Sequence, residues 1–173
     1  RPLVAEMQAL LAPSSAPSPR RTTSGLESSR VSMLLAVLDR RARLPVARCD
    51  CYVSTVGGVR VGEPGADLAV ALAMASSVLD RPLPEGLICV GEVGLAGEVR
   101  PVGGVDRRLA EGARIGFTKA VIPAGSLRAG QSAPEGMQVT QVTDIREAVH
   151  LMTVADPGAG YDARRAHGAM PRA

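Results

Sequence analysis

The chain has 173 residues, 46% hydrophobic but only 2% aromatic, and a formal net charge of +3. That length supports one domain with a sizeable core and leaves little chain for a second. With Phe117, Tyr52 and Tyr161 as the only aromatics, the core must be aliphatic, which argues against a nucleic-acid module that stacks bases on rings.

Along the chain, residues 2–11 are apolar with Glu6 and Gln8 two apart, the alternation of a strand. Residues 13–25 concentrate Pro, Ser and Thr around Arg20-Arg21 and read as a loop. From Ser29, the spacing of Val31, Leu34, Leu35 and Leu38 predicts an amphipathic helix ending near Arg43. Arg40, Arg41 and Arg43 fall in its last turn, where cations favour the negative end of the helix dipole. The β-branched runs 50–56 and 59–61 flank Gly57-Gly58 and predict a β-hairpin. Pro64 suits a first helical turn, and residues 66–79 are apolar almost all round, so this helix should be buried on most sides. Asp80-Arg81-Pro82 stops it. Residues 87–93 and 98–102 read as strands, 105–115 as a helix closed by Gly116, and 119–122 and 137–142 as further strands. Thr143 is placed to cap a last helix over 144–152. Residues 156–173, rich in Gly, Ala and Arg, are expected to be a disordered tail after a domain spanning 1–155.

Positive charge is uneven. Residues 1–48 hold eight arginines against three acids, residues 49–155 nine basic residues against twelve acidic ones, and Lys119 is the sole lysine. Guanidinium groups suit phosphate, but this abundance alone does not establish nucleic-acid binding. Cys49, Cys51 and Cys89 are odd in number and lack the paired spacing of a structural zinc site, so reduced buried thiols are expected. No apolar run approaches the roughly 18 residues that cross a bilayer, and Arg1-Pro2-Leu3 does not begin a signal peptide. A cytoplasmic location is expected, and the missing initiator Met suggests a piece excised from a longer chain.

Candidate chemistry is sparse. Glu63 and Asp67 flank a helix start, where the dipole stabilises negative charge without any catalytic role. His150 and His167 are too far apart in sequence to suggest a shared metal site, and no metal is expected. Gly103-Gly104 before Arg107 and Arg108 offers free N–H groups and positive charge for phosphate, but lacks the ending of a P-loop.

Two segments resemble the active-site motifs of Lon-type Ser-Lys proteases. Gly62-Glu63-Pro64-Gly65-Ala66-Asp67 stands where those enzymes carry Gly-Pro-Ser-Ala-Gly, and Pro101-Val102-Gly103-Gly104-Val105-Asp106 stands for Pro-Ile-Gly-Gly-Leu-Lys. Gly65 thus replaces the nucleophile and Asp106 the base. Such a dyad needs an exposed hydroxyl and a neutral amine within hydrogen-bonding reach, so no catalytic residue is expected. Ser54, Ser76 and Ser77 are available as hydroxyls, but Ser76 and Ser77 lie more than two helical turns from the motif and Lys119 opens a different strand, so a substitute dyad is not expected.

Taken with 4–10, Arg20-Arg21-Thr22, 33–38, 57–69 and 91–102, these motifs make the chain similar to the carboxy-terminal Lon-like domain of the RadA (Sms) family of bacterial DNA repair proteins, over about residues 2–155. The resemblance implies an α/β (α+β) fold with mixed β-sheet and flanking helices. It also implies a parent protein with a RecA-like ATPase and a four-cysteine zinc finger, using ATP, Mg and Zn outside this domain. That parent would be a hexameric DNA-dependent ATPase, acting on branched or single-stranded DNA in homologous recombination alongside RecA. Within it, this domain would be a platform for homo-oligomer assembly and part of a DNA channel. The candidate DNA contacts, chosen by charge and position, are Arg20, Arg21, Arg40, Arg41, Arg60, Arg100, Arg107 and Arg108.

Overall fold

Strand β1 (Met7–Pro13) alternates as the sequence suggests: Met7, Ala9 and Leu11 turn toward the core, and Gln8 and Leu10 stay exposed. These relations come from a computed structural model of the chain that describes residues 2–127 and 131–154. The expected tail over 156–173, with His167, lies outside the described residues.

β1 is antiparallel to β3 (Cys49–Thr55), with Leu10 opposite Tyr52, and β2 (Arg21–Ser24) is parallel to β3 on its other side. Two expectations fail here for one reason. The segment 21–24 is a strand rather than loop, because Thr22 and Thr23 supply β-branched residues to a free edge of β3. With both edges of β3 then occupied, no return strand can form the hairpin expected over 50–61. Gly57-Gly58 instead fall in a 3₁₀ turn at φ 74° and 69°, and Val61 bridges to Leu26, its N–H donating to Gly25 at 2.8 Å.

Between β2 and β3 lies α1 (Ser28–Arg40), which buries Val31, Leu34, Leu35, Val37 and Leu38. It packs on α2 (Asp67–Leu79), the central helix, which also meets β1 and α4 (Ile145–Val154). Leu68, Ala71, Leu72, Met74 and Ala75 are completely buried. Each large side chain of this set contributes about 1.5–3 kcal/mol by leaving water, which is why a helix apolar on nearly every side is stable here.

The second sheet is parallel, in the order β4 (Leu87–Cys89), β7 (Lys119–Pro123), β8 (Gln138–Val142). Its middle strand is buried on both faces. Val121 belongs to the main core with α2 and α4, while Ala120 and Ile122 join a smaller cluster under α3 (Val105–Arg114) with Val105 and Leu109. Helices on both sides of a parallel sheet explain the unbroken apolar run of β7.

The strand expected over 87–93 is interrupted at residues 90–91 and continues as β5 (Glu92–Val93), paired with β6 (Val99–Arg100). Only glycine fits at 91, where a Cβ would lie 2.9 Å from Val99 Cγ1. At α4 the cap is Asp144, not Thr143: Asp144 Oδ1 accepts from the Glu147 N–H at 2.9 Å. Glu147 reaches back to the N–H and hydroxyl of Thr143 at 2.8 and 2.9 Å. A carboxylate in the capping position satisfies an orphan helical donor and complements the dipole, so it displaces the weaker hydroxyl.

Candidate functional site

The entrance to α2 is built from a single 3₁₀ turn, Pro64–Ala66, with Gly65 buried. Gly91 docks against it: its N–H donates to the Gly65 carbonyl at 2.9 Å and its carbonyl accepts from Leu68 N–H at 3.1 Å. A Cβ on Gly65 would lie 3.1 Å from Glu63 Oε1 and 3.6 Å from Val102 Cγ2. The fold therefore brings the two sequence motifs together, as a Ser-Lys site would require. What they present to each other is different.

In place of a hydroxyl there is the Gly65 hydrogen, and Asp106 lies exposed in the first turn of α3. The joint between the motifs is an ion pair, in which Arg108 holds both carboxylate oxygens of Glu63, one of them at 3.1 Å, and donates to the Gly103 carbonyl at 3.1 Å. The cavity beside the turn, lined by Glu27, Arg30, Glu63 and Asp67 among others, has a volume of 80 Å³. Ligand sites usually need about 300 Å³ or more.

Behind the turn lies a second ionic group. Asp67 is 3% exposed and is held from two sides: the Arg30 guanidinium pairs with both its oxygens, through Nε at 2.7 Å and through Nη2, and the Val93 N–H donates to Oδ2 at 3.0 Å. The sequence assigns Asp67 to the helix dipole; its main partner is instead an arginine 37 residues away. The hydrogen bond that Arg30 donates to Asp67 pushes its guanidinium further toward the charged form, against the opposing effect of burial. The network continues from Arg30 to Glu92 at 3.9 Å, from Glu92 to Arg100 at 3.7 Å, and from Arg100 to Glu98. It ties α1, α2, β5 and β6 at one point. Arg30 was not singled out from sequence, and no local pattern marks it.

The substitute residues are dispersed. Ser77 Oγ accepts from the Leu11 N–H at 2.9 Å, and Ser76 Oγ donates to the Arg81 carbonyl. Ser54 sits on β3 and Lys119 on β7, in different sheets. His150 is exposed on α4. The three thiols are free: Cys49 donates to the Pro45 carbonyl, Cys51 lies 3.8 Å from Met74 Sδ, and desolvation pushes the Cys89 thiol up to about 12. Among the described residues no group of three His, Cys, Asp or Glu could hold a metal, and no helix is long and apolar enough to cross a membrane.

The eight candidate arginines differ in what holds them. Arg108 and Arg100 are engaged by carboxylates, as described. Arg21 donates to the Cys49 carbonyl and Arg41 to the Leu95 carbonyl at 3.2 Å. Arg20, Arg40, Arg60 and Arg107 are exposed and form no ion pair with a described residue.

Comparison with known proteins places this geometry. Residues 52–155 match the family described as the Lon protease (S16) C-terminal proteolytic domain. The chain is 51% identical to DNA repair protein RadA of Mycolicibacterium smegmatis, over 88% of this chain and 32% of that protein. It is 49% identical to DNA repair protein RadA of Escherichia coli K12, over 87% and 32%, and 44% identical to that of Streptococcus pneumoniae R6, over 86% and 35%. The chain thus spans about a third of the length of these relatives. A match over more than half its residues, with the two motifs meeting at the entrance to α2, shows that the chain belongs to the Lon C-terminal proteolytic domain family, in the form of the C-terminal Lon-like domain of RadA.

Proposed function

We propose that this domain is a non-catalytic assembly and DNA-contact module of a RadA-type DNA-dependent ATPase, which works in DNA repair on branched recombination intermediates together with RecA. The parent protein is a homo-oligomeric ring, a hexamer, whose nucleotide and metal sites lie outside this domain. One observation carries the reading: where a Ser-Lys peptidase needs a hydroxyl and an amine, the chain offers Gly65 and Asp106, with the Glu63–Arg108 ion pair joining the two motifs. Its relatives are DNA repair proteins, which supports the cellular role.

Contact with DNA in such a ring is contact with phosphate, and guanidinium groups not already engaged by carboxylates serve it best. That favours Arg20, Arg40, Arg60 and Arg107 over Arg100 and Arg108, which are held internally. Arg60→Glu with Arg107→Glu should weaken binding to branched DNA and lower the slope of log affinity against log salt by about 1–2. Unchanged affinity and slope would remove the DNA-contact half of the proposal. Light scattering at high micromolar concentration tests the other half, and a strictly monomeric chain would count against a platform.

A further inference from the structure

At the carboxy-terminal end of α1 the surface holds a cleft of 420 Å³ lined by Ala36, Val37, Arg40, Arg41, Arg43 and Leu95. Three of its six lining residues are arginines and none is acidic. Arg40 and Arg43 form no ion pair with a described residue, and Arg146 reaches the backbone of this segment, its guanidinium donating to the Arg41 carbonyl at 3.3 Å. Leu95, at the rim of the cleft, is 69% exposed.

The exposure of Leu95 is enforced by its surroundings. Its turn is closed by Gly94 N–H to the Glu98 carbonyl at 2.9 Å and Gly97 N–H to the Gly94 carbonyl at 3.0 Å. It is pinned to α4 by Ile145 N–H to the Gly97 carbonyl at 2.8 Å, and to α1 by Arg41 Nε to the Leu95 carbonyl at 3.2 Å. Gly97, at φ 88°, packs so closely that a Cβ would lie 2.9 Å from Arg41 Cβ. The backbone that carries this large aliphatic side chain is therefore fixed at the rim of a guanidinium-lined cleft. Pre-ordered apolar anchors beside arginine are the pattern of protein interfaces, because little entropy remains to be lost on binding.

We propose that this cleft binds an acidic peptide segment of a partner protein, carrying an aliphatic side chain that packs on Leu95 and the Ala36–Val37 wall while its carboxylates meet Arg40, Arg43 and Arg146. Charge complementarity selects an anion, and two further features select peptide over nucleic acid. The cleft has no aromatic side chain on which a base could stack, and the methylenes of a sugar-phosphate chain lie between oxygens, so they cover Leu95 less well than a branched aliphatic side chain does. The volume falls within the range of sites that enclose a few side chains.

The test uses the 173-residue chain and a fluorescein-labelled peptide of six aspartates, three on each side of a central leucine, followed by anisotropy. Saturable binding should weaken at least about tenfold with Leu95→Ser and with Arg40→Glu/Arg43→Glu. It should weaken similarly when serine replaces leucine in the peptide. The substituted side chains are exposed, and circular dichroism checks that each variant is folded. Peptide binding indifferent to Leu95→Ser would overturn the proposal. So would a single-stranded oligonucleotide that binds more tightly than the peptide and loses affinity in the same variants, since the cleft would then be a nucleic-acid site.

Discussion

Asp67 shows how a side chain at a helix start can be fixed by the tertiary structure instead of the helix itself. Its carboxylate is matched by Arg30 and the Val93 N–H, so removing it strands a partly buried guanidinium and an N–H donor together. Asp67→Ala should cost about 2–4 kcal/mol, less than a fully buried pair because Arg30 is one-third exposed; urea unfolding measures it. Arg30→Ala should cost a similar amount, and a double variant should cost less than the sum. Glu98 makes a prediction in pH. Its own backbone N–H and the Arg100 guanidinium hold its carboxyl below the usual value of 4.5. Its stabilising effect is therefore complete above that value and is lost as pH falls through the lower folded one. In Arg100→Ala the Glu98 titration, followed by NMR, should move upward. At this scale the sequence revealed little. Glu63 and Asp67 were visible as acids, but their partners Arg108 and Arg30 lie 45 and 37 residues away, and pairing over such distances leaves no periodic trace.

Among the elements, helices were the most readable, because α1 and α2 carry their burial pattern in consecutive residues. Strands were readable where they are apolar, as in β7. They were missed where pairing rather than composition makes them, as in β2, whose Arg-Thr-Thr-Ser sequence resembles a loop until the edge of β3 is known. The same edge explains the absent hairpin. Two substitutions test the packing of elements. Leu72→Ala, at a fully buried site on α2, should lower stability by about 2–5 kcal/mol. Gly97→Ala combines a left-handed backbone with a Cβ pressed on Arg41 and should cost about 1–3 kcal/mol. That turn forms the rim of the arginine cleft, so Gly97→Ala should also weaken the acidic peptide, whereas Leu72→Ala should leave its affinity unchanged under conditions where the protein is still folded.

For the whole molecule, the frame of the Lon proteolytic-domain family is present, and we propose that its reacting groups are not. The family frame was plain in the sequence because it resides in contiguous motifs, 57–69 and 91–102, whose glycines are needed where the backbone passes closely, as Gly91 does against the turn at Gly65. The surface was not plain, since arginines alike in sequence differ in whether a carboxylate or carbonyl engages them. Gly65→Ser should be accommodated by a shift of a few tenths of an ångström at Glu63, because the position has no left-handed backbone and only that flexible side chain is tight. It should remain unreactive, since Asp106 offers a carboxylate where a neutral amine is required. The most direct measurement is intact-mass spectrometry after exposure of the unmodified chain to a serine-directed fluorophosphonate, with casein turnover followed in parallel. The account predicts an unshifted mass and undegraded casein; a one-to-one adduct accompanied by casein cleavage would contradict it.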